Sequence, residues 1–195
     1  MLNNQKLELI IIFLLITFGL YLSLISGYGS DEDTLPMIGV FEGIINSNPL
    51  MASRFTPYPV AELGIGFLSY NFGSGTANLI TFVFMIIGII FFYYGVTVKI
   101  VNKNLIYFLL LCLSSPVLFF DNLEPIDYSW AFLPLGMGIF FLRKNYMDLA
   151  VVLFGISVGT RIYFLAFVLV IIFFYNYFPK VKIQKKITLF LSSFF

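Results

Sequence analysis

Histidine is absent from this 195-residue chain, and cysteine occurs once, as Cys112. Zinc sites built from Cys and His ligands, and disulfides within these residues, are therefore excluded. Charge is also scarce, because Asp, Glu, Lys and Arg together make up only 11% of the residues. The formal net charge of +1 gives no reason to expect nucleic-acid binding.

What the chain has instead is apolar surface: 60% of its residues are hydrophobic and its mean hydropathy is +0.98. A water-soluble domain of this size could not bury that much. The sequence therefore predicts an all-α fold, a polytopic membrane helix bundle of about six or seven spans, each needing about 20 residues to cross roughly 30 Å of hydrocarbon. The apolar runs cover about 7–26, 76–98, 105–120, 129–142, 149–160 and 162–178, with a seventh from about 187. Because that run stops at Phe195, we interpret residues 1–195 as one transmembrane domain, the N-terminal part of a longer bundle.

Basic residues predict the orientation, since short cytoplasmic loops retain Lys and Arg. With the N-terminus inside, nine of the eleven basic residues face the cytoplasm, and only Arg54 and Arg161 face out. The first run fits an uncleaved anchor better than a signal peptide cleaved near Gly27. The acids show the opposite bias, which this rule does not require, because only Glu8 and Asp148 face in. The outer acids are Asp31, Glu32, Asp33, Glu42, Glu62, Asp121, Glu124 and Asp127.

The first outer loop, residues 27–75, has the pattern of a structured segment. Asp33 or Thr34 can cap an amphipathic helix that ends before Asn48-Pro49 and lies flat in the outer membrane interface. A new helix is predicted from about Val60.

Further along, a continuous tilted span over 149–178 would place Arg161 at mid-bilayer and basic loops on opposite sides. We therefore predict a tight helical pair with Arg161 at its turn, facing the outer acids.

Three short motifs carry a resemblance to a known family. The stretches "SRFTPYPVAEL", "IDYSWAF" and "GISVGTRIYFLAF" resemble motifs of the GT-C membrane glycosyltransferases, which include protein O-mannosyltransferases, aminoarabinose transferases and oligosaccharyltransferases. The first is similar to an S-R-x-P-G-Y-P-x-x-E-L pattern, from which it departs at Thr56 and Pro57. The order of an uncleaved span, acids directly after it, an interfacial helix and a second acidic loop is also similar.

The resemblance implies sugar transfer from a polyprenyl-phosphate carrier to an acceptor at the extracytoplasmic face of a bacterial inner (plasma) membrane. A carboxylate has to take the proton of the acceptor hydroxyl, and inversion requires that base opposite the leaving phosphate. The position of the family's first acid, just beyond the first span, implies Asp33 as this catalytic base, with Asp31 as the alternative. Arg161 is the candidate for the carrier phosphate. The other substrate-binding candidates are Arg54, Glu62, Asp121, Glu124 and Asp127.

The same acids leave open whether the protein binds a metal ion. Asp121, Glu124 and Asp127 match the position of a second acidic motif that in the oligosaccharyltransferases helps to hold a divalent ion, so Mg²⁺ or Mn²⁺ with oxygen ligands is one option. Other members of the family work without a metal. The sequence does not specify whether the acceptor is a glycan, a lipid or a protein.

Structural roles compete with these assignments. Asp33 can be only a helix cap, Asp31 a solvated charge, Glu62 a first-turn helix acid and Arg54 a ligand of membrane lipid head groups. Asp121 and Glu124 can be loop caps beside Pro125, Asp127 can simply start the fourth span, and Arg161 can pair structurally with an outer acid. For the function of the protein as a whole, a non-enzymatic membrane assembly or lipid-binding protein remains an alternative to the glycosyltransferase. A transporter fits less well, because nearly all ionisable residues lie at span ends.

Overall fold

The structure is a computed structural model that describes residues 4–28, 34–46, 59–97 and 102–176. Regular secondary structure in these ranges is helical throughout. The α-helices are α1 (Asn4–Ile25), α2 (Thr34–Ile45), α3 (Pro59–Phe72), α4 (Ser74–Val96), α5 (Asn102–Ser114), α6 (Pro116–Phe120), α7 (Asp127–Arg143), α8 (Met147–Thr160) and α9 (Phe164–Asn176), with a 3₁₀ turn at Asp121–Leu123.

Two of the described helices are long and apolar enough to cross a membrane: α1, over Lys6–Ile25, and α4. A third crossing results if α5 and the α6 segment count as one bent span, whereas α8 and α9 are apolar but shorter. These helices identify the chain as an all-helical protein of membrane-protein character. The run predicted at 105–120 is divided in the structure, since it bends by 80° at Ser115, where Pro116 starts α6.

The centre of the fold is the pair α4 and α7, which pack against each other more extensively than any other two described elements. Glycines allow this, because a Cβ on Gly136 would lie 2.6 Å from the carbonyl oxygen of Gly88. Small residues let membrane helices approach closely where lipid supplies no hydrophobic force between them. At the C-terminal ends of both helices, Arg143 Nη1 donates to the carbonyl of Tyr94 at 2.8 Å and to that of Thr97.

The first outer loop contains the two helices expected there. α2 begins at Thr34, and α3 begins at Pro59, one residue before the expected start. They pack on each other through Met37, which is 1% exposed, and through Gly66, where a Cβ would meet the side chain of Phe41. The start of α2 agrees with the sequence interpretation, whereas the extent of the outer loop, 27–75, and its position relative to a membrane stay predictions.

The break between α8 and α9 at Arg161 agrees with the sequence interpretation, but the tight pairing predicted for the two helices is not shown, since they contact each other only slightly. α8 ends at Thr160, Arg161 has extended backbone angles (φ −154°, ψ 114°), and α9 starts at Phe164. The backbone closes the turn, since Phe164 N–H donates to the Arg161 carbonyl at 3.0 Å. The alternative of one continuous helix through Arg161 is therefore wrong.

Candidate functional site

Asp127 is the first residue of α7, and it is fully buried. Glu124 is extended (φ −106°, ψ 157°), as the residue before a proline usually is, and buried Pro125 then leads into the helix. Asp127 therefore does start a helix, as one of the sequence alternatives held. A carboxylate with no exposed surface is costly unless a partner compensates its charge.

Arg161 provides that compensation from the turn between α8 and α9. Its Nε lies 3.1 Å from Oδ1 of Asp127, and its side chain is 10% exposed. The Arg161 backbone N–H donates to the Ser157 carbonyl, which holds the turn on the end of α8. The structure thus pairs the recessed arginine with one particular outer acid, the structural alternative raised from the sequence.

Tyr128 completes this cluster. The Cζ atom of Arg161 lies 3.4 Å from the centroid of the Tyr128 ring, a close cation–π contact. Burial by itself lowers the pKa of the Arg161 guanidinium, but the negative charge of Asp127 and the contacts with Tyr128 outweigh it, so the pKa is raised above its ordinary value. The Arg161 guanidinium is therefore positively charged at neutral pH. We call Asp127, Tyr128 and Arg161 the arginine cluster.

The other acids named from the sequence have different environments. Asp121 is exposed in the 3₁₀ turn, and Glu124 is half-buried, with its carbonyl accepting from Ile126 N–H at 2.8 Å. Glu62 lies in the first turn of α3 as expected, but it is only 4% exposed, and α3 contacts both α7 and α8. The first-turn position predicted for Glu62 is therefore confirmed, and its burial is a feature that the sequence did not indicate.

Three of the candidates lie outside the described residues: Asp31, Asp33 and Arg54. Their roles stay predictions. Within the described ranges, no group of three or more His, Cys, Asp or Glu side chains is arranged to hold a metal ion. The divalent ion suggested for Asp121, Glu124 and Asp127 is consequently not supported by these three side chains alone.

A cavity of about 470 Å³ lies beside the arginine cluster. Its walls come from α4, α5, α6, α7 and α9 and are mainly apolar, including Met85, Ile89 and Phe132. Residues on both sides of the bend between α5 and α6 line this space, Cys112 and Val117 among them. Cavities of about 300–1,000 Å³ are typical of small-molecule sites.

One end of the cavity is polar, and its residues come from the 3₁₀ turn and the start of α7: Asp121, Asn122, Tyr128 and Ser129. Ser129 Oγ donates to the side-chain oxygen of Asn122, and Asn122 Nδ2 donates to the Leu118 carbonyl at 2.6 Å. Tyr128 faces both the cavity and Arg161, so it joins the two sites. The sequence reasoning missed this linking role, and the only available signal was the position of Tyr128 directly after Asp127 in the "IDYSWAF" motif.

Comparisons with protein-family models, with curated proteins and with solved structures found no match for this chain. The functional argument therefore depends on the residues of the site.

Proposed function

We propose that this protein is a membrane glycosyltransferase that moves a sugar from a polyprenyl-phosphate carrier to a glycan, lipid or protein acceptor. The observation that carries the proposal is the arginine cluster, a recessed cation held by Asp127 and Tyr128 next to a largely apolar cavity. A lipid-linked phosphate needs both features, since its charge must be stabilised near a surface that accepts hydrocarbon.

In this proposal Arg161 stabilises the negative charge that develops on the departing carrier phosphate. A guanidinium presents donors along more than one edge, so it can contact a phosphate while a carboxylate holds its orientation. Asp127 is thus a positioning residue for Arg161. Asp33, or else Asp31, takes the proton from the acceptor hydroxyl as it attacks the anomeric carbon, and the bond to the phosphate breaks with inversion.

The wider setting belongs to the same proposal. The protein has six or seven spans in a bacterial inner membrane, its N-terminus is cytoplasmic, and the arginine cluster faces the extracytoplasmic side. The predominance of Lys and Arg in the loops assigned to the cytoplasm supports this orientation. The bend at Ser115 and the short α8 and α9 fit a bundle whose outer half is interrupted by re-entrant segments.

A non-enzymatic lipid-binding protein is the second candidate, and the cavity favours it, because an apolar cavity needs no catalysis to hold a lipid. Transport is less well supported, since Asp127 and Arg161 lie at helix ends and not within a candidate span. The catalytic base distinguishes the glycosyltransferase from the lipid-binding protein, because only the enzyme requires Asp33.

The test compares wild type with Asp33→Asn, using membranes that contain the complete protein and a panel of radiolabelled polyprenyl-phosphate sugars. The asparagine keeps the shape and most of the capping ability of Asp33 but cannot accept a proton. We expect the wild type to consume one donor and the variant to lose that activity at an unchanged protein level. The matched control is Glu42→Gln, which neutralises an exposed acid on α2 and is expected to remain active.

Equal consumption by wild type and Asp33→Asn would remove Asp33 from the mechanism, and the same comparison would then be made with Asp31→Asn. Activity retained in both variants would contradict the carboxylate mechanism. Binding of a carrier lipid with no consumption of any donor would favour the lipid-binding protein.

A further inference from the structure

We infer that the cavity is a binding site for a single-chain amphiphile with an amine head group, whose ammonium pairs with Asp121. This ligand would occupy the same cavity that the proposed function gives to the hydrocarbon of the carrier lipid, but its head group would lie at Asp121 and not at Arg161, and its binding does not depend on glycosyl transfer. Its ligand class follows from the shape, the apolar wall and the charge of the cavity.

The shape fits one hydrocarbon chain. The wall includes Met85 and Phe92 of α4, which are seven residues apart and therefore about 10 Å apart along the helix axis. Cys112 of α5 and Phe132 of α7 also line the space. A lipid tail that enters the cavity leaves bilayer hydrocarbon for similar apolar side chains. The tail therefore contributes little to the choice of ligand, and the head group must determine it.

The charge at the polar end is negative. Asp121 is the only Asp, Glu, Lys or Arg among the described residues that line the cavity. Arg161 is not part of the lining; its guanidinium is paired with Asp127 and contacts the ring of Tyr128. The side chains of Asn122 and Ser129 bond to each other and to the backbone, so Asp121 is the group left to attract a head group.

The cavity is open at this same end. Val117, Leu118 and Asp121 belong to its wall, and all three are exposed. Val117 and Leu118 would lie against lipid while Asp121 lies at the polar boundary. A chain can therefore enter from the side while its ammonium remains near the carboxylate. Asp121 would repel an anionic head group placed next to it, so the carrier phosphate of the proposed function would have to lie away from Asp121, on the Arg161 side of the Tyr128 ring.

Cys112 supplies a reporter within the cavity, since it is half-buried and lines the wall. The experiment places the complete protein in nanodiscs of zwitterionic lipid and measures the rate at which methyl methanethiosulfonate modifies Cys112, read by peptide mass spectrometry. Dodecylamine and dodecanoate, which share chain length and differ in head-group charge, are added as competitors.

We expect dodecylamine to protect Cys112 at lower concentration than dodecanoate does. Asp121→Asn should retain protection but reduce the preference for the amine by about two- to fivefold, because an exposed ion pair contributes up to about that factor in affinity. Asp148→Asn is the matched control, as it removes an exposed acid from the start of α8 and should leave the preference unchanged. Comparing variants cancels the different partitioning of the two probes into the bilayer.

Three outcomes would overturn the inference. The first is that Cys112 is not modified without competitor, because an open cavity must admit so small a reagent. The second is that neither probe protects. The third is that Asp121→Asn leaves the preference unchanged, which would assign the selectivity to the bilayer. None of these outcomes bears on Asp33, so this inference and the glycosyltransferase proposal fail separately.

Discussion

Asp127 and Arg161 form a buried ion pair that joins the first residue of α7 to the turn after α8. The two residues are far from each other in sequence. Each compensates the charge of the other, which the surrounding helices have removed from water. The pair therefore affects two properties that can be measured separately, the stability of the fold and the orientation of the guanidinium.

We expect Asp127→Asn and Arg161→Gln each to destabilise the protein by about 3–5 kcal/mol, because each leaves a buried charge without its partner. The double variant should lose less than the sum of the two, with a coupling of about 0.5–3 kcal/mol. The measurement is the free energy of unfolding from denaturant titration in mixed micelles, with Asp148→Asn as control. Additive effects would show that the two side chains do not interact in the folded protein.

The closest approach of α4 and α7 gives a second prediction. Gly136→Ala would place a methyl group 2.6 Å from the Gly88 carbonyl oxygen and 3.1 Å from the backbone nitrogen of Phe92, so the helices must separate. We expect a loss of about 1–3 kcal/mol in the free energy of unfolding. The matched control is Gly159→Ala in α8, where no heavy atom lies within 4 Å. This control should be neutral or stabilising by up to about 1 kcal/mol, and an equal loss in both variants would contradict the packing described.

Arg143 gives a third prediction at the C-terminal ends of α4 and α7. Its guanidinium donates to the carbonyls of Tyr94 and Thr97, which the end of α4 leaves without intrahelical partners. Arg143→Leu should therefore destabilise the protein by about 1.5–3 kcal/mol. Lys144→Leu makes the same change at the exposed neighbouring residue and should have a smaller effect in the same unfolding assay. Equal effects would indicate that the two carbonyl contacts do not stabilise the fold.

The turns on either side of α8 predict a topology. Tyr146 and Tyr163 are 62% and 72% exposed, and they flank a helix that would separate them across the membrane. In a Cys112→Ser background, Tyr163→Cys should react with a membrane-impermeant thiol reagent added outside intact cells. Tyr146→Cys should react only after the membrane is opened. Labelling of both positions from the same side would contradict the proposed orientation.

Much of the fold follows from local signals in the sequence. The apolar runs, the caps and prolines of the first outer loop and the placement of basic residues predict α1, α2, α3 and α4 to within a few residues. The turn at Arg161 also follows, because one continuous helix would bury a charge in hydrocarbon. The division at Ser115 was not predicted, since Pro116 lies inside an uninterrupted apolar run and hydropathy does not register a change of direction.

The site depends on contacts that sequence patterns do not encode. The sequence grouped Arg161 with several outer acids, but the choice of Asp127 is made by the packing of α7 against α8. The burial of Glu62 was not predicted either, because its first-turn position on α3 does not reveal which helices pack around it. The cavity is enclosed by residues from five helices and the 3₁₀ turn, so neither its volume nor its polar end could be derived before the helices were placed.

The end of α1 is held by a chain of hydrogen bonds. Asn78 Nδ2 donates to Ser26 Oγ at 3.1 Å, and Ser26 Oγ donates to the Leu123 carbonyl at 2.9 Å, across a separation of 97 residues. A ribosome that adds about 5–20 residues per second needs about 5–20 seconds to make that stretch. The bond from Ser26 to the 3₁₀ turn can therefore form only after that interval, later than the bond from Asn78 to Ser26.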